Sequence, residues 1–314
     1  MHNNKPETIS ELFEVYLRKR GHRFGEAATA QKRVALNHLV SIVGDIQLTE
    51  FDEDAAEAYQ YGLAKRVKSK HSVNTYVKHI RPMFSFAYER EIMSKDPFST
   101  LKHLKAPIQI NEFSREQSKA LIGACPNLRW QAIYTAVFDT SMRPTEILNT
   151  VWDDVQPDRI KVRPKKDVNW HTWEWSPKNL KPRDVPLSQN LADILMMLQL
   201  ELPVDQPYPF LSAERYSRLR PRIGMLSERI RTCPEGNWSR MTQQIKRRAG
   251  VKKGKFYDGR KTSLTHMSRQ PGITPQDLQA IAGHASFETT QIYYLGHNID
   301  AALKIASGAA FTDT

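Results

Sequence analysis

Thr140-Ser141-Met142-Arg143-Pro144-Thr145-Glu146-Ile147-Leu148 (TSMRPTEIL, 140–148) sets an arginine at the junction of a loop and a helix. Pro144 marks the first helical turn, where its missing N–H costs nothing and its fixed φ already suits the helix. Apolar spacing predicts one helix from Trp130 to Phe138 and another from Pro144 to Val151. An arginine placed so has two ordinary uses. It can form a salt bridge at the helix end, or grip an oxyanion with its planar fork. The stretch alone does not choose; the rest of the chain must.

Toward the N-terminus, Ser114-Arg115-Glu116-Gln117 is a capping box that restarts regular structure. Before it, Pro97 to Phe113 shows little periodicity and reads as a linker. The first hundred residues read as four helices. Thr8 to Glu11 is a capping box; further helices are predicted over Ala28 to Val43 and Glu53 to Lys65. The fourth carries Val73, Val77, Ile80 and Phe84 at helical spacing behind a Ser72 cap, with a kink expected at Pro82. Lys65, Arg66, Lys68 and Lys70 are expected in the loop before it, within reach of a phosphate.

Toward the C-terminus the pattern changes. Arg159 to Val162, Asn169 to Ser176 and Arg183 to Leu187 predict a small antiparallel sheet of three strands, with Pro177 to Pro182 as the last turn. Helices return at Asn237, near Thr262 and at Thr274. The fold class is therefore mainly α with a small antiparallel β-sheet. The organisation is a helical domain over 1–105, a linker over 106–113 and an α+β domain over 114–314.

Composition narrows the function. The chain has 314 residues, 40% of them apolar, with no membrane-length apolar run and no secretory leader at its start. Cys125 and Cys233 are the only cysteines, which argues for a reducing cytoplasm and against both a disulfide framework and a cysteine-rich zinc site. The net charge of +12 comes in clusters, among them 65–70, 215–231, Lys246-Arg247-Arg248 and 252–255. One such cluster is a solvated surface; several along one chain suit a tracked phosphate backbone, DNA or RNA.

Phosphodiester chemistry without a metal needs a nucleophile, cations where charge builds up, and an acid for the departing oxygen. Arg143 is one cation. Tyr257-Asp258-Gly259-Arg260 supplies a second, just ahead of the helix expected near Thr262. Lys178 offers an amine at a hairpin tip, in KNLKPRDVPL, and Lys181 and Arg183 of that stretch are phosphate-binding candidates with Arg247 and Arg248. His284 and Tyr293 lie nine positions apart in HASFETTQIYYLGH. Taken singly, each has a plainer explanation. Their order and spacing do not.

TSMRPTEIL, KNLKPRDVPL, YDGR and AGHASFETTQIY together resemble the motifs of the tyrosine recombinases, which include phage integrases and the Xer and Cre types. The resemblance spans roughly Ser114 to Gly296; the N-terminal helices resemble the family's core-binding, SAM-like domain more weakly. It implies that Tyr293 attacks the scissile phosphate to give a 3′-phosphotyrosyl bond. Arg143 and Arg260 would hold the non-bridging oxygens, Lys178 would protonate the leaving 5′ oxygen, and His284 would add a hydrogen bond. It implies no cofactor and no metal, since the covalent link conserves the bond energy. The implied partner is double-stranded DNA with inverted half-sites, bound by a dimer per site and a tetramer in synapsis, in the cytoplasm at a prokaryotic nucleoid. The early start of the helical pattern suits a two-domain enzyme without an arm-binding domain. Residues Ile299 to Ala306 would form a tail helix that packs on a neighbour or on its own domain.

Adjacent helical residues point about 100° apart, so only one of Tyr293 and Tyr294 can face a phosphate. The motif selects Tyr293. Two positions depart from the family pattern. Ser141 stands where glycine is usual, which questions the turn before Arg143. Tyr257 replaces the His of H-x-x-R, and a phenol is a poor base at neutral pH. Two rival readings remain. A type IB topoisomerase would relax DNA without paired sites, and a catalytically idle DNA-binding protein would keep the fold; a general RNA-binding protein fits least well.

Overall fold

A computed structural model describes residues 5–106, 111–165, 171–178 and 181–291. The chain divides into two compact units, Met1–Ile108 and Gln109–Thr314. Among the described residues no helix is long and apolar enough to cross a membrane.

The first unit holds α1 (Ile9–Arg20), α2 (Glu26–Val43), α3 (Glu53–Arg66) and α4 (Lys70–Glu89). Thr8 caps α1 by accepting from the Glu11 N–H, and Asp52 caps α3 through the Ala55 N–H. Phe13, Leu39, Tyr59, Val77 and Phe84 fill the core, and Phe51 stacks on Phe84 at 4.5 Å. Three expectations change here. Helix α4 begins at Lys70, so Ser72 lies inside its first turn and Ser69 takes the cap position. The basic run is only partly a loop: Lys65 and Arg66 close α3, Lys68 lies in the three-residue connection, and Lys70 opens α4. Cations favour a helix C-terminus because the last carbonyls carry partial negative charge. Finally, Phe98 is fully buried in this core, so the chain just after Pro97 belongs to the first unit and is no free linker.

The second unit contains α5 (Arg115–Gly123), α6 (Leu128–Thr140), α7 (Pro144–Leu148), β1 (Arg159–Val162), β2 (Arg183–Pro186) and α8 (Gln189–Glu201). It continues with α9 (Ala213–Leu219), α10 (Glu228–Thr232), α11 (Trp238–Arg248), α12 (Phe256–Ser268), α13 (Pro275–Ala282) and α14 (Phe287–Gln291). Helix α6 is the centre: Trp130, Ala132, Ile133, Tyr134, Ala136 and Val137 are all buried. Helix α12 crosses it closely at Gly259, where a Cβ would come within 2.9 Å of Val137 Cγ1. That close approach lets the next residue, Arg260, reach the end of α6.

The sheet is smaller than expected. β1 and β2 pair antiparallel, with Arg159 opposite Pro186 and Val162 opposite Arg183. In place of a third strand, the described part of 169–176 makes one isolated bridge, Trp175 to Lys165. Its described tryptophans, Trp173 and Trp175, serve the core instead. Trp173 stacks on Tyr208 at 4.1 Å and donates Nε1–H to Asn149 Oδ1 at 2.8 Å. Helix α7 stops at Leu148 rather than Val151, because the Asn149 amide turns back to donate to Thr145 O. Helix α12 starts at Phe256, a turn and a half before Thr262. The Asp258 carboxylate accepts the Lys255 N–H at 2.8 Å and nucleates the earlier turn.

Candidate active site

Four local structures converge in the second unit. The first is the end of α6. Ser141 adopts φ +55°, the left-handed conformation that stops the helix and that glycine takes most easily. Serine therefore keeps the turn, at the cost of backbone strain. The turn leaves Ser141 O facing inward.

Arg143 follows at the cap position of α7. Its backbone N–H donates to Glu146 Oε2 at 2.7 Å and its Nη1 to Glu146 Oε1 at 2.8 Å. Its Nη2 donates to Gly283 O at 3.4 Å. Arg260 comes from the second turn of α12 and is fully buried. It donates to Ser141 O through Nη1 and to Ala282 O at 2.6 Å through Nη2, and its Nε has no partner among the described residues. Burial first, then the charge of Arg143, lowers its pKa to about 10.

The third structure is the end of α13. Gly283 takes φ +63°, and the N–H of His284 folds back to Gln279 O at 3.2 Å. This cap aims the imidazole at Arg260, whose Nη2 lies 3.3 Å from His284 Nε2. A guanidinium can only donate, so Nε2 accepts and Nδ1 carries the ring proton toward Thr290 Oγ1 at 3.0 Å. Burial and the charges of Arg260, Arg143 and Arg183 lower the His284 pKa to about 4.

The fourth is β2. The Arg183 side chain is 7% exposed and makes a bidentate pair with Glu146, Nη2–Oε2 2.6 Å and Nη1–Oε1 3.0 Å. Its Nε donates to Ile281 O at 2.8 Å. Burial raises the Glu146 pKa, but the bonds and charge of Arg183, with Arg143, outweigh it and hold the carboxyl below its ordinary range. Two guanidiniums, Arg143 and Arg183, thus share one carboxylate that is 1% exposed, and the buried Arg260 feels the charges of all three. Burying cations this way is costly unless an anion answers them. The cluster has the electrostatics of a phosphate site.

Arg143, Arg260 and His284 thus come together. Lys178 is exposed and lines a groove with Lys181, Arg183, Gln279 and His284. Tyr257 stands one helical turn before Arg260 and is 44% exposed. Tyr293, Tyr294 and the tail from Ile299 to Ala306 lie outside the described residues. Among the DNA candidates, Lys65, Lys68, Lys70, Lys181, Arg247 and Arg248 are exposed. Arg66 is exposed yet donates to Ser41 O at 3.0 Å, and Arg183 is committed internally. The motif reading gave Glu146 no role. Its signal was the Arg-x-x-Glu spacing, which puts the carboxylate where the cap N–H needs an acceptor.

The phage integrase family matches residues 111–298 and the phage integrase SAM-like domain matches 8–105. The chain belongs to the phage integrase family and is a tyrosine recombinase, an enzyme of site-specific DNA breakage and rejoining. It is 28% identical over 295 residues to tyrosine recombinase XerA of Thermococcus kodakarensis, covering 92% of this chain and 91% of XerA. IntQ of Escherichia coli (strain K12), described as defective, is 24% identical over 163 residues, and the match spans only 41% of its length. Among solved structures, the Tn1549 transposon integrase in complex with transposon right end DNA has TM-score 0.74 at 16% identity, over 96% of this chain and 100% of that one. A lambda integrase tetramer bound to a Holliday junction has TM-score 0.63 at 14% identity, over 91% and 80%. These likenesses establish the fold.

Proposed function

We propose that the chain cleaves duplex DNA at a specific site through Tyr293 and exchanges strands by reversing the same step. The Tyr293 oxygen attacks the scissile phosphorus as its phenol proton passes to water. The bond from phosphorus to the 5′ oxygen breaks, and Lys178 gives that oxygen a proton. Arg143 and Arg260 hold the non-bridging oxygens as their charge grows, the setting in which fixed donors count most. His284 adds a donor once phosphate charge offsets the cations that now keep it neutral. The 5′ hydroxyl of another strand then displaces the tyrosine, so no external energy source is needed. The observation that carries this reading is the convergence of Arg143, Arg260 and His284 on one cation-rich point beside the groove of Lys178.

The substrate in this proposal is double-stranded DNA with inverted half-sites, held by a dimer and paired into a tetramer. The supports are the net charge of +12, family membership, and the lambda integrase tetramer on its Holliday junction. The chain would act in the cytoplasm, at the nucleoid of a prokaryotic host. Residues 1–105 would bind the core site, 106–113 would link, and 114–314 would catalyse.

A nicked DNA site tests the chemistry, because the released fragment diffuses away and traps the intermediate. Wild type is expected to give an SDS-resistant protein–DNA adduct and Tyr293→Phe none. Adduct from Tyr293→Phe but not from Tyr294→Phe would move the nucleophile. No adduct on any site would make the chain an idle binder, and plasmid relaxation without paired sites would make it a topoisomerase. Tyr257 is expected to leave the enzyme active with a pH–rate profile that Tyr257→His alters. An inactive wild type brought to life by Tyr257→His would overturn that expectation.

A further inference from the structure

Lys178 is exposed, and a four-carbon stem in water does not hold an ammonium to one point. Transferring a proton to a defined oxygen requires placement within about 0.5 Å. The placement must therefore come from the chain on either side. Upstream, Trp175 and Lys165 exchange two backbone hydrogen bonds, 2.7 and 3.1 Å, and Pro177 is buried. Downstream, among the described residues, the first with a firm hold is Arg183.

That hold is unusually broad. One guanidinium grips Glu146 on α7 with two bonds and Ile281 O on α13 with a third. Glu146 in turn holds Arg143, and Gly283 packs so closely that a Cβ there would lie 3.0 Å from Arg183 Cδ. Arg183 also opens β2, opposite Val162 of β1. The same side chain thus joins the elements that carry Arg143 and His284 to the strand that follows Lys178. Lysine cannot make this joint, because it lacks the two-pronged fork and the Nε–H.

We infer that Arg183 is a positioning residue for the leaving-group acid: it fixes the segment bearing Lys178 against the Arg143–His284 cluster. It does not bind DNA phosphate itself. The inference rests on the reading of Lys178 as that acid.

Two substrates separate the possibilities. One is a nicked site with the ordinary 5′ oxygen at the scissile phosphate. The other carries sulfur in that bridging position, which departs as thiolate and needs no proton. Lys178→Ala should be slow on oxygen and recover on sulfur; failure to recover there would remove the reading of Lys178. Arg183→Lys should lose on the order of 10²-fold on oxygen, the size of a general-acid contribution. It should return to within about threefold of wild type on sulfur, and Arg183→Lys combined with Lys178→Ala should be no slower than Lys178→Ala alone. If Lys178→Ala recovers and Arg183→Lys falls equally on both substrates, Arg183 acts on phosphate charge or on the fold, and the inference is wrong. If Arg183→Lys shows no cooperative thermal transition, Arg183→Gln goes through the same pair. A chain that folds with neither side chain also counts against the inference, because Arg183 would then be required for the fold itself.

Discussion

The two units bury their cations differently. Among the described residues of the first unit, Lys32 is the one buried charged side chain. It is shared by the rings of Phe24 and Tyr16, at 4.6 and 5.6 Å, and its ammonium donates to His79 O at 3.3 Å. Each of these contacts is neutral. In the second unit Arg143 and Arg183 share one carboxylate, and both repel the nearby buried Arg260. A fold gains nothing in stability from such crowding. The first unit answers its buried cation with rings and a carbonyl; the second gathers more cations than it buries carboxylates to answer them.

The largest expected effect breaks that contrast at Glu146. Glu146→Ala leaves the buried guanidiniums unanswered, and urea unfolding should show a loss of about 3–5 kcal/mol. The Arg33–Glu14 pair of the first unit, with side chains 53% and 56% exposed, should show the opposite: Glu14→Ala within about 1 kcal/mol of wild type. Similar losses at the two sites would erase the distinction.

A middle effect comes from pH. The pKa of His284 is about 4 in the folded chain against an ordinary 6.5. Between those values the unfolded chain holds the extra proton, so stability contributed by this group is complete above pH 6.5 and falls as pH drops toward 4. Glu146, held below its ordinary 4.5, loses its contribution only at lower pH. The melting temperature should therefore decline between pH 6.5 and 5 in wild type and less in His284→Gln. Equal slopes would mean that the cation cluster does not reach the imidazole.

The smallest effect sharpens the site's backbone. Ser141 is strained at φ +55°, by roughly 1–2 kcal/mol, and its buried hydroxyl has no hydrogen-bond partner among the described residues. Glycine removes the strain but gives back part of the gain as chain entropy. Ser141→Gly should raise stability by about 1 kcal/mol and leave cleavage unchanged. A lower melting temperature would show that the serine is needed there.

Much of the fold was legible from local signals. The caps at Thr8, Ser114 and Thr274 act within one helical turn, and so does Pro144. The sheet was misjudged because tryptophans in an alternating stretch fit a strand and a core equally well; Trp173 chose Tyr208 and Asn149. The start of α12 was missed because Asp258 reads as one charge among several until its carboxylate meets the Lys255 N–H.

Local patterns along the chain carry the order of helices, the motif residues Arg143, Lys178, Arg260, His284 and Tyr293, and the excess of positive charge. Only the packed fold reveals which carbonyl or carboxylate each arginine holds. Arg183 meets Glu146 across 37 residues, Arg260 meets Ser141 across 119, and Arg143 meets Gly283 across 140. Helical periodicity and capping are set by neighbours a turn away. Charge pairing over such separations is set only when burial forces each ion to find whichever partner the fold has brought within reach.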